Sequence, residues 1–406
     1  CRPRCPRRWH LSAWSPWGPR TCVAGRFVAT ASRNSPTLES NRPHNLTRKA
    51  RDMKNRRPRK RAVTIILIVL AVVSATGLGM YFLARSTYDS NFRRQDPIEP
   101  FCRTLDEFPG LDVEQRSFAS DKGQRLAGYL YSKADTQPKG VVVLVHGFGT
   151  GGQCAYMDVA DYFTSNGYLV FAYDATGFGA SEGDSTVGEQ QGIIDLDHAL
   201  DYVETSDATK DYPIVLWGHS WGAYCASCAL IDHPEVKAVV SVSGYDSSAS
   251  LDDYKLDDGP TRLLSPFSRL IDRQRFGAYA DYTSLAGFAG TSAGVMVVQS
   301  ADDDMVPESL GYDLYYAKYQ DDSRFAFKLY QDRQHLFIYH TDAAREYATA
   351  YYDEELDYFD SQGVEVPTPE QAAAYVSAHP FDKKAGFAID LDLMGQMRDF
   401  YDRHCD

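Results

Sequence analysis

A serine stands between two glycines in Gly218-His219-Ser220-Trp221-Gly222, where the apolar run PIVLWGH at 213–219 gives way to helical spacing. A serine hydroxyl is a weak nucleophile until a neighbouring base takes its proton. A sharp strand-to-helix turn lifts such a hydroxyl clear of the backbone, and the helix N-terminus behind it stabilises developing negative charge. Gly218 and Gly222 leave room for the chain to cross its neighbours tightly. Gly-x-Ser-x-Gly recurs by chance, so its weight here comes from closing a buried strand and opening a helix. A base and an acid must come from elsewhere. His335 and His340 follow the last apolar run, and Asp302, Asp303 and Asp304 stand together after another. His219 adjoins the serine, but a last strand residue points away from the tip of the turn, so packing or backbone support is its expected role.

The elements that must position these groups alternate. Residues 115–120 and 125–132, separated by Asp-Lys-Gly-Gln, read as an antiparallel hairpin. Buried strands follow at 141–147, 168–174, 213–219, 236–244, 294–300 and 324–330, with helices at 158–165, 189–203, from Ser220, from about Pro307 and after Thr341. Wholly apolar strands alternating with helices imply an α/β fold, a mostly parallel sheet covered on both faces. Residues 245–293 are too long for a plain crossover and read as a small cap over the strand ends. A helical extension, about 364–406, follows the last core helix and opens on a Thr368-Pro369-Glu370-Gln371 capping box.

In these surroundings the chain resembles the α/β-hydrolase family over roughly 116–360. His146-Gly147-Phe148-Gly149 resembles its oxyanion loop, and 174–183, DATGFGASEG, its D-x-x-G-x-G-x-S-x-G loop. Gly218 to Gly222 resembles the nucleophile elbow, Asp302 to Pro307 the D-x-x-V-P acid loop, and His335 the base after the last strand. The resemblance implies Ser220 as nucleophile, His335 rather than His340 as base, and Asp303, four residues before the proline, as acid. It also implies an oxyanion hole from the backbone N–H groups of Phe148 and Trp221. Within the family, the monoacylglycerol-lipase-like and serine-aminopeptidase-like hydrolases are closest in pattern. Carboxylester hydrolysis is the first reading, on an ester or lipid. A serine aminopeptidase acting on peptides is the second, with Asp246, Asp252, Asp253, Asp257 and Asp258 available to hold a free amine. A non-catalytic binding protein on the same fold is the third, disfavoured because no candidate triad member is missing.

Other chemistries find little footing. His146 has no second ligand at metal spacing, and no Gly-Lys-Ser/Thr follows the glycines at 147, 149, 151 and 152, so neither a metal nor a cofactor is expected. Cys225 and Cys228 form a C-x-x-C inside the helix after Ser220 without a second pair, and core packing is their expected role. Cys102 and Cys405 bracket the outer domain and are candidates for a disulfide in an oxidising compartment.

The net charge of −13 hides a division. Residues 1–61 hold 17 Lys/Arg against 2 Asp/Glu, whereas 62–406 hold 25 against 53. The acidic part, without basic clusters, argues against nucleic acid as a partner. Between the two lies AVTIILIVLAVVSATGLGMYFLA, the 23 uncharged residues 62–84, long enough to cross a ~30 Å hydrocarbon core as a helix. KNRRPRKR at 54–61 directly precedes it, so the positive-inside rule places the N-terminus in the cytoplasm and the rest outside; a signal peptide cleaved near Ser74-Ala75 is the second reading. Residues 85–113 read as a linker and 114–406 as the hydrolase domain. Residues 1–52 show no periodicity; Met53 reads as the natural start, with 1–52 as translated upstream sequence.

Overall fold

The computed structural model describes residues 50–97, 102–134, 137–256, 259–364 and 367–405. The apolar runs form one eight-stranded sheet: β1 (Leu111–Ala119), β2 (Arg125–Lys133), β3 (Val141–Val145), β4 (Leu169–Tyr173), β5 (Ile214–His219), β6 (Ala238–Val242), β7 (Gly294–Ser300) and β8 (Phe325–Tyr330). Their order is β1-β2-β4-β3-β5-β6-β7-β8. The hairpin β1–β2 joins antiparallel to β4, and every pairing from β4 to β8 is parallel. Each of β3, β5, β6 and β7 is buried at every position, as strands covered on both faces must be. This is the α/β-hydrolase fold.

Helices α1 (Ala50–Asn91), α2 (Met157–Ser165), α3 (Gln191–Thr205), α4 (Trp221–Ala229), α5 (Ser248–Lys255), α6 (Ser265–Phe276) and α7 (Ser284–Gly290) precede β7, and further helices follow it. Two hydrophobic clusters fill the faces. One places α3 and α4 residues such as Leu196, Leu200, Tyr224 and Cys225 against Val143 and Leu216. The other places Phe163 of α2 against Val142, Val215 and Trp217. The C-terminal helix Leu391–Cys405 belongs to this second face: Leu393, Met394, Met397 and Phe400 pack there, and Tyr401 donates to the Leu216 carbonyl at 2.6 Å. The predicted extension is therefore a cover for the sheet, and its Thr368 capping box forms with Gln371.

The structure departs from expectation at two places. The apolar helix runs past Ala84 to Asn91, and 85–97 is built into the fold rather than loose. Ala84, Tyr88 and Phe92 are buried against Ile271 of α6, and Gln95 donates to the Gly177 carbonyl at 2.8 Å. An alternation of apolar residues every four positions, 84-88-92, carries that burial, a signal masked by the charged residues between. Cys102 pairs with Cys154, not with Cys405; their Cα atoms lie 4.9 Å apart. Cys405 sits at the wrong end of the sheet, since its neighbour His404 abuts Gly294 at the start of β7, whereas Cys154 lies in the loop after β3. Cys225 and Cys228 are reduced and buried in α4.

Candidate active site

Ser220 occupies the turn between β5 and α4 with φ 56° and ψ −120°, a conformation costly for a non-glycine residue. Its neighbours show why the turn is sustained. A Cβ on Gly218 would lie 2.4 Å from the Gly222 carbonyl oxygen, and one on Gly222 would lie 2.1 Å from the Val145 oxygen. Only glycines let the strand, the turn and β3 approach this closely. The Ser220 N–H donates to the Val242 carbonyl at 2.8 Å, tying the strained residue to β6.

His335 bridges the serine to an acid. Its Nε2 lies 2.8 Å from Ser220 Oγ, and its Nδ1 lies 2.7 Å from Asp303 Oδ2. The other Asp303 oxygen accepts the Met305 and Val306 N–H groups at 3.0 and 2.8 Å, which fixes the carboxylate in its loop. Asp303 and His335 are each 3% exposed, so the pair is shielded from water. This geometry suits a neutral imidazole that donates from Nδ1 and accepts the serine proton at Nε2. Asp302 has a separate role. Its Oδ1 accepts from Ser300 Oγ at 2.6 Å and from the Gln334 N–H at 2.8 Å, steadying the left-handed Gln334 just before His335. His340 is buried beside Tyr339, and burial pushes its pKa down to about 3.

A relay missed in the sequence joins this histidine loop to the loop after β3. The Gly147 N–H donates to Tyr156 Oη at 2.9 Å, and Tyr156 Oη lies 3.0 Å from His219 Nδ1. His219 Nε2 lies 3.0 Å from the His335 carbonyl oxygen, so this nitrogen carries the proton and Tyr156 donates to the other. Burial, then the neighbouring His335, holds the His219 pKa down near 3, so it stays neutral. Phe148 follows Gly147 directly. Neither its N–H nor that of Trp221 meets an acceptor among the described residues. The side chains of Phe148 and Trp221 pack edge to face at 5.6 Å. His146 is structural: Nε2 accepts the Ala175 N–H at 3.1 Å, leaving Nδ1 to donate to the Gly147 carbonyl at 2.9 Å.

Ser220 opens into a cleft of about 160 Å³ with a mostly apolar wall that includes Phe92, Phe148, Leu251, Met305 and Phe337. One polar patch interrupts it. Glu189 is buried, accepts from Tyr245 Oη at 3.0 Å, and has its pKa raised to about 7, mainly by burial and against the pull of Lys255. Sequence reasoning overlooked Glu189 because it precedes a helix without any motif. Of the aspartates offered as amine holders, Asp246 accepts the Leu285 N–H at 3.0 Å, Asp253 pairs with Arg269, and Asp252 adjoins Glu189 and Lys255. Asp257 and Asp258 lie outside the described residues. For metals, Glu204, His233 and Glu235 bring ligand atoms within 4.8 Å of one another among the described residues. Both nitrogens of His233 are already taken, by Asp197 at 2.6 Å and Glu235 at 2.9 Å, an arrangement of an imidazolium rather than a metal ligand.

Residues 136–256, from just before β3 through the elbow to the end of α5, match the family described as Serine aminopeptidase, S33. The chain has the α/β-hydrolase fold and, over those residues, is similar to this family. The chain is 32% identical over 106 residues to a monoglyceride lipase homolog of Monkeypox virus, covering 26% of this chain and 38% of that protein. It is 30% identical over 109 residues to caffeoylshikimate esterase of Arabidopsis thaliana, covering 26% and 33%. A monoacylglycerol lipase of Mycolicibacterium smegmatis is 34% identical over 113 residues, covering 27% and 38%. The matched part thus spans 33 to 38% of each of these relatives. Among solved structures, the Pyrococcus furiosus esterase Pf2001 superposes with a TM-score of 0.47 at 16% identity, over 66% of this chain and 98% of that one.

Proposed function

We propose that this hydrolase cleaves carboxylic esters through an acyl-enzyme, with Ser220 as nucleophile, His335 as base and Asp303 as the acid that orients it. The observation that carries the reading is the row Ser220 Oγ, His335, Asp303, with contacts of 2.8 and 2.7 Å. Ser220 Oγ attacks the ester carbonyl as its proton passes to His335 Nε2, and Asp303 stabilises the imidazolium. The carbonyl oxygen, now negative, is held by the Phe148 and Trp221 N–H groups. Collapse breaks the ester C–O bond, and His335 returns the proton to the leaving alcohol. Water then repeats the cycle on the acyl group and restores Ser220.

Ester over peptide is favoured by the cleft. Its wall is mostly apolar, and the one buried carboxylate on it, Glu189, already has the Lys255 ammonium nearby. A free substrate amine would have to compete with that cation. The relatives named as lipases and an esterase point the same way. We further place the catalytic domain on the outer face of a membrane. Residues 61–91 form a helix long and apolar enough to cross one. The basic block before it suits a domain on the outer side, and the Cys102–Cys154 disulfide suits an oxidising compartment. The test is turnover of a short-acyl p-nitrophenyl ester against an amino-acid p-nitroanilide. The ester should turn over faster by at least a hundredfold; faster anilide cleavage would install the aminopeptidase reading instead.

A further inference from the structure

The apolar helix leads directly into the wall of the cleft that holds Ser220. Phe92, directly after α1, is 4% exposed, lines the cleft and packs on Phe148 with ring centroids 5.7 Å apart. Phe148 in turn packs on Trp221, the residue after the nucleophile. The helix α1 also packs on the cap, against Ile271 and Phe267 of α6 and Leu264 just before it.

The contacts fix which side of α6 faces the apolar end of α1. Gln274 accepts from Tyr81 Oη at 2.8 Å, and Tyr81 lies inside the uncharged run 62–84. Asp272 accepts from Tyr88 Oη at 2.6 Å, and Arg275 pairs with Asp89, both beyond that run. Thus α6 crosses α1 with its Gln274 side toward the apolar end and its Asp272–Arg275 side away from it. On a helix, residues three and four apart share a side. Leu270 stands four before Gln274, and Leu263 lies in the 3-10 turn Gly259–Leu264 that leads into α6, next to Leu264, which packs on the buried stripe of α1. Both are open to solvent, at 44% and 63% exposure, as are Leu78, Phe82 and Leu83 on α1 itself. An apolar ledge on the cap therefore continues the lipid-facing surface of the helix, beside the aromatic wall that leads to Ser220.

We propose that this ledge rests in the bilayer leaflet at the Ala84 end of α1, and that the ester substrate is an acyl lipid that enters the cleft from that leaflet past Phe92. The occupant is lipid because the same chain carries α1 through the layer and α6 lies across its emerging end. The route rests on the ester-hydrolase and membrane-spanning readings; the seating of the ledge rests on the second alone.

Two measurements on the full chain in phosphatidylcholine vesicles test it. The first attaches an environment-sensitive NBD fluorophore at Leu263→Cys or Leu270→Cys, with the unsubstituted chain labelled in parallel to subtract native thiols. Lipid-borne nitroxides near the headgroups should quench either probe by at least half. Quenching no greater than that of a probe at the exposed Asp207→Cys, before the start of β5 and so at the opposite end of that strand from Ser220, overturns the seating, and a dimer formed in its place would identify a second copy as the occupant. The second compares Leu263→Asp/Leu270→Asp with the unsubstituted chain. Turnover of a soluble short-chain ester should stay within twofold, while turnover of a long-chain monoacylglycerol held in the vesicles falls at least tenfold. Equal losses on both substrates, or no loss on either, overturn the entry route. Failure of the unsubstituted chain on both esters would instead refute the hydrolase reading and leave the quenching result to decide the seating.

Discussion

Replacing Asp303 with Asn isolates the one charge on which the proposed chemistry depends, with almost no change of shape. The carboxylate uses both oxygens: Oδ1 accepts from the Met305 and Val306 N–H groups, and Oδ2 meets His335 Nδ1 at 2.7 Å. An amide has one acceptor oxygen. Turning its NH2 toward the two backbone N–H groups would leave both unpaired in a buried loop, at roughly 1–3 kcal/mol each. The amide therefore keeps its oxygen at that position and points NH2 at His335 Nδ1. The imidazole must then accept at Nδ1 and carry its proton on Nε2, facing Ser220 Oγ with a donor where a base is required. Loss of the correct tautomer in such a triad lowers kcat by about 10⁴, equivalent to about 5 kcal/mol of barrier. Steady-state turnover of a soluble p-nitrophenyl ester reads this directly, with a melting curve to show that the isosteric variant folds. A loss smaller than tenfold in folded protein would refute the assignment of Asp303 as the orienting acid.

Three other perturbations have defined outcomes. Tyr156→Phe removes a donor from His219 Nδ1 and an acceptor from the Gly147 N–H, so it should destabilise the fold by roughly 2–5 kcal/mol and cut kcat more than it raises KM; an unchanged kcat would show that the relay does not steady the oxyanion and histidine loops. For Glu189, the folded pKa of about 7 exceeds its ordinary 4.5, so its ionised form is disfavoured in the fold and stability is lost as pH rises from about 4.5 through about 7. Glu189→Gln should therefore raise the melting temperature relative to the parent at pH 8, by an equivalent of at most about 3 kcal/mol, and not at pH 4.5; a larger gain at the acidic pH would contradict this. Cys154→Ser opens a loop closed across a sequence separation of 52, which in the loop-entropy picture costs about 4 kcal/mol; a melting temperature equal to that of the parent under non-reducing conditions would argue against the bond.

What the sequence made legible follows from the range of each signal. Val141–Val145 and Gly294–Ser300 are continuous apolar runs, and strands buried on both faces leave that mark locally. The elbow is local too, since strand, turn and helix are consecutive around Ser220. Asp303 and His335 carry no local mark. Only the resemblance picks them out from His340, Asp302 and Asp304, because the topology, not the spacing, brings their loops to the same strand ends. Tyr156 and His219 form a relay between positions far apart in the chain, and neither belongs to a motif that names the other. The same holds for Cys102, whose partner is the nearer cysteine in space and not the one that brackets the domain. Helix α1 shows a competing signal: Arg85 and Asp89 look like the end of an apolar segment, while Ala84, Tyr88 and Phe92 continue a buried stripe between them.

The most direct test of the central claim is covalent. A fluorophosphonate should phosphonylate the folded, full-length chain at one residue, and peptide mapping should place the adduct on Ser220. Ser220→Ala should abolish it, and His335→Ala should slow it by at least a hundredfold. No adduct on folded protein, or an adduct on another serine that survives Ser220→Ala, would contradict the account.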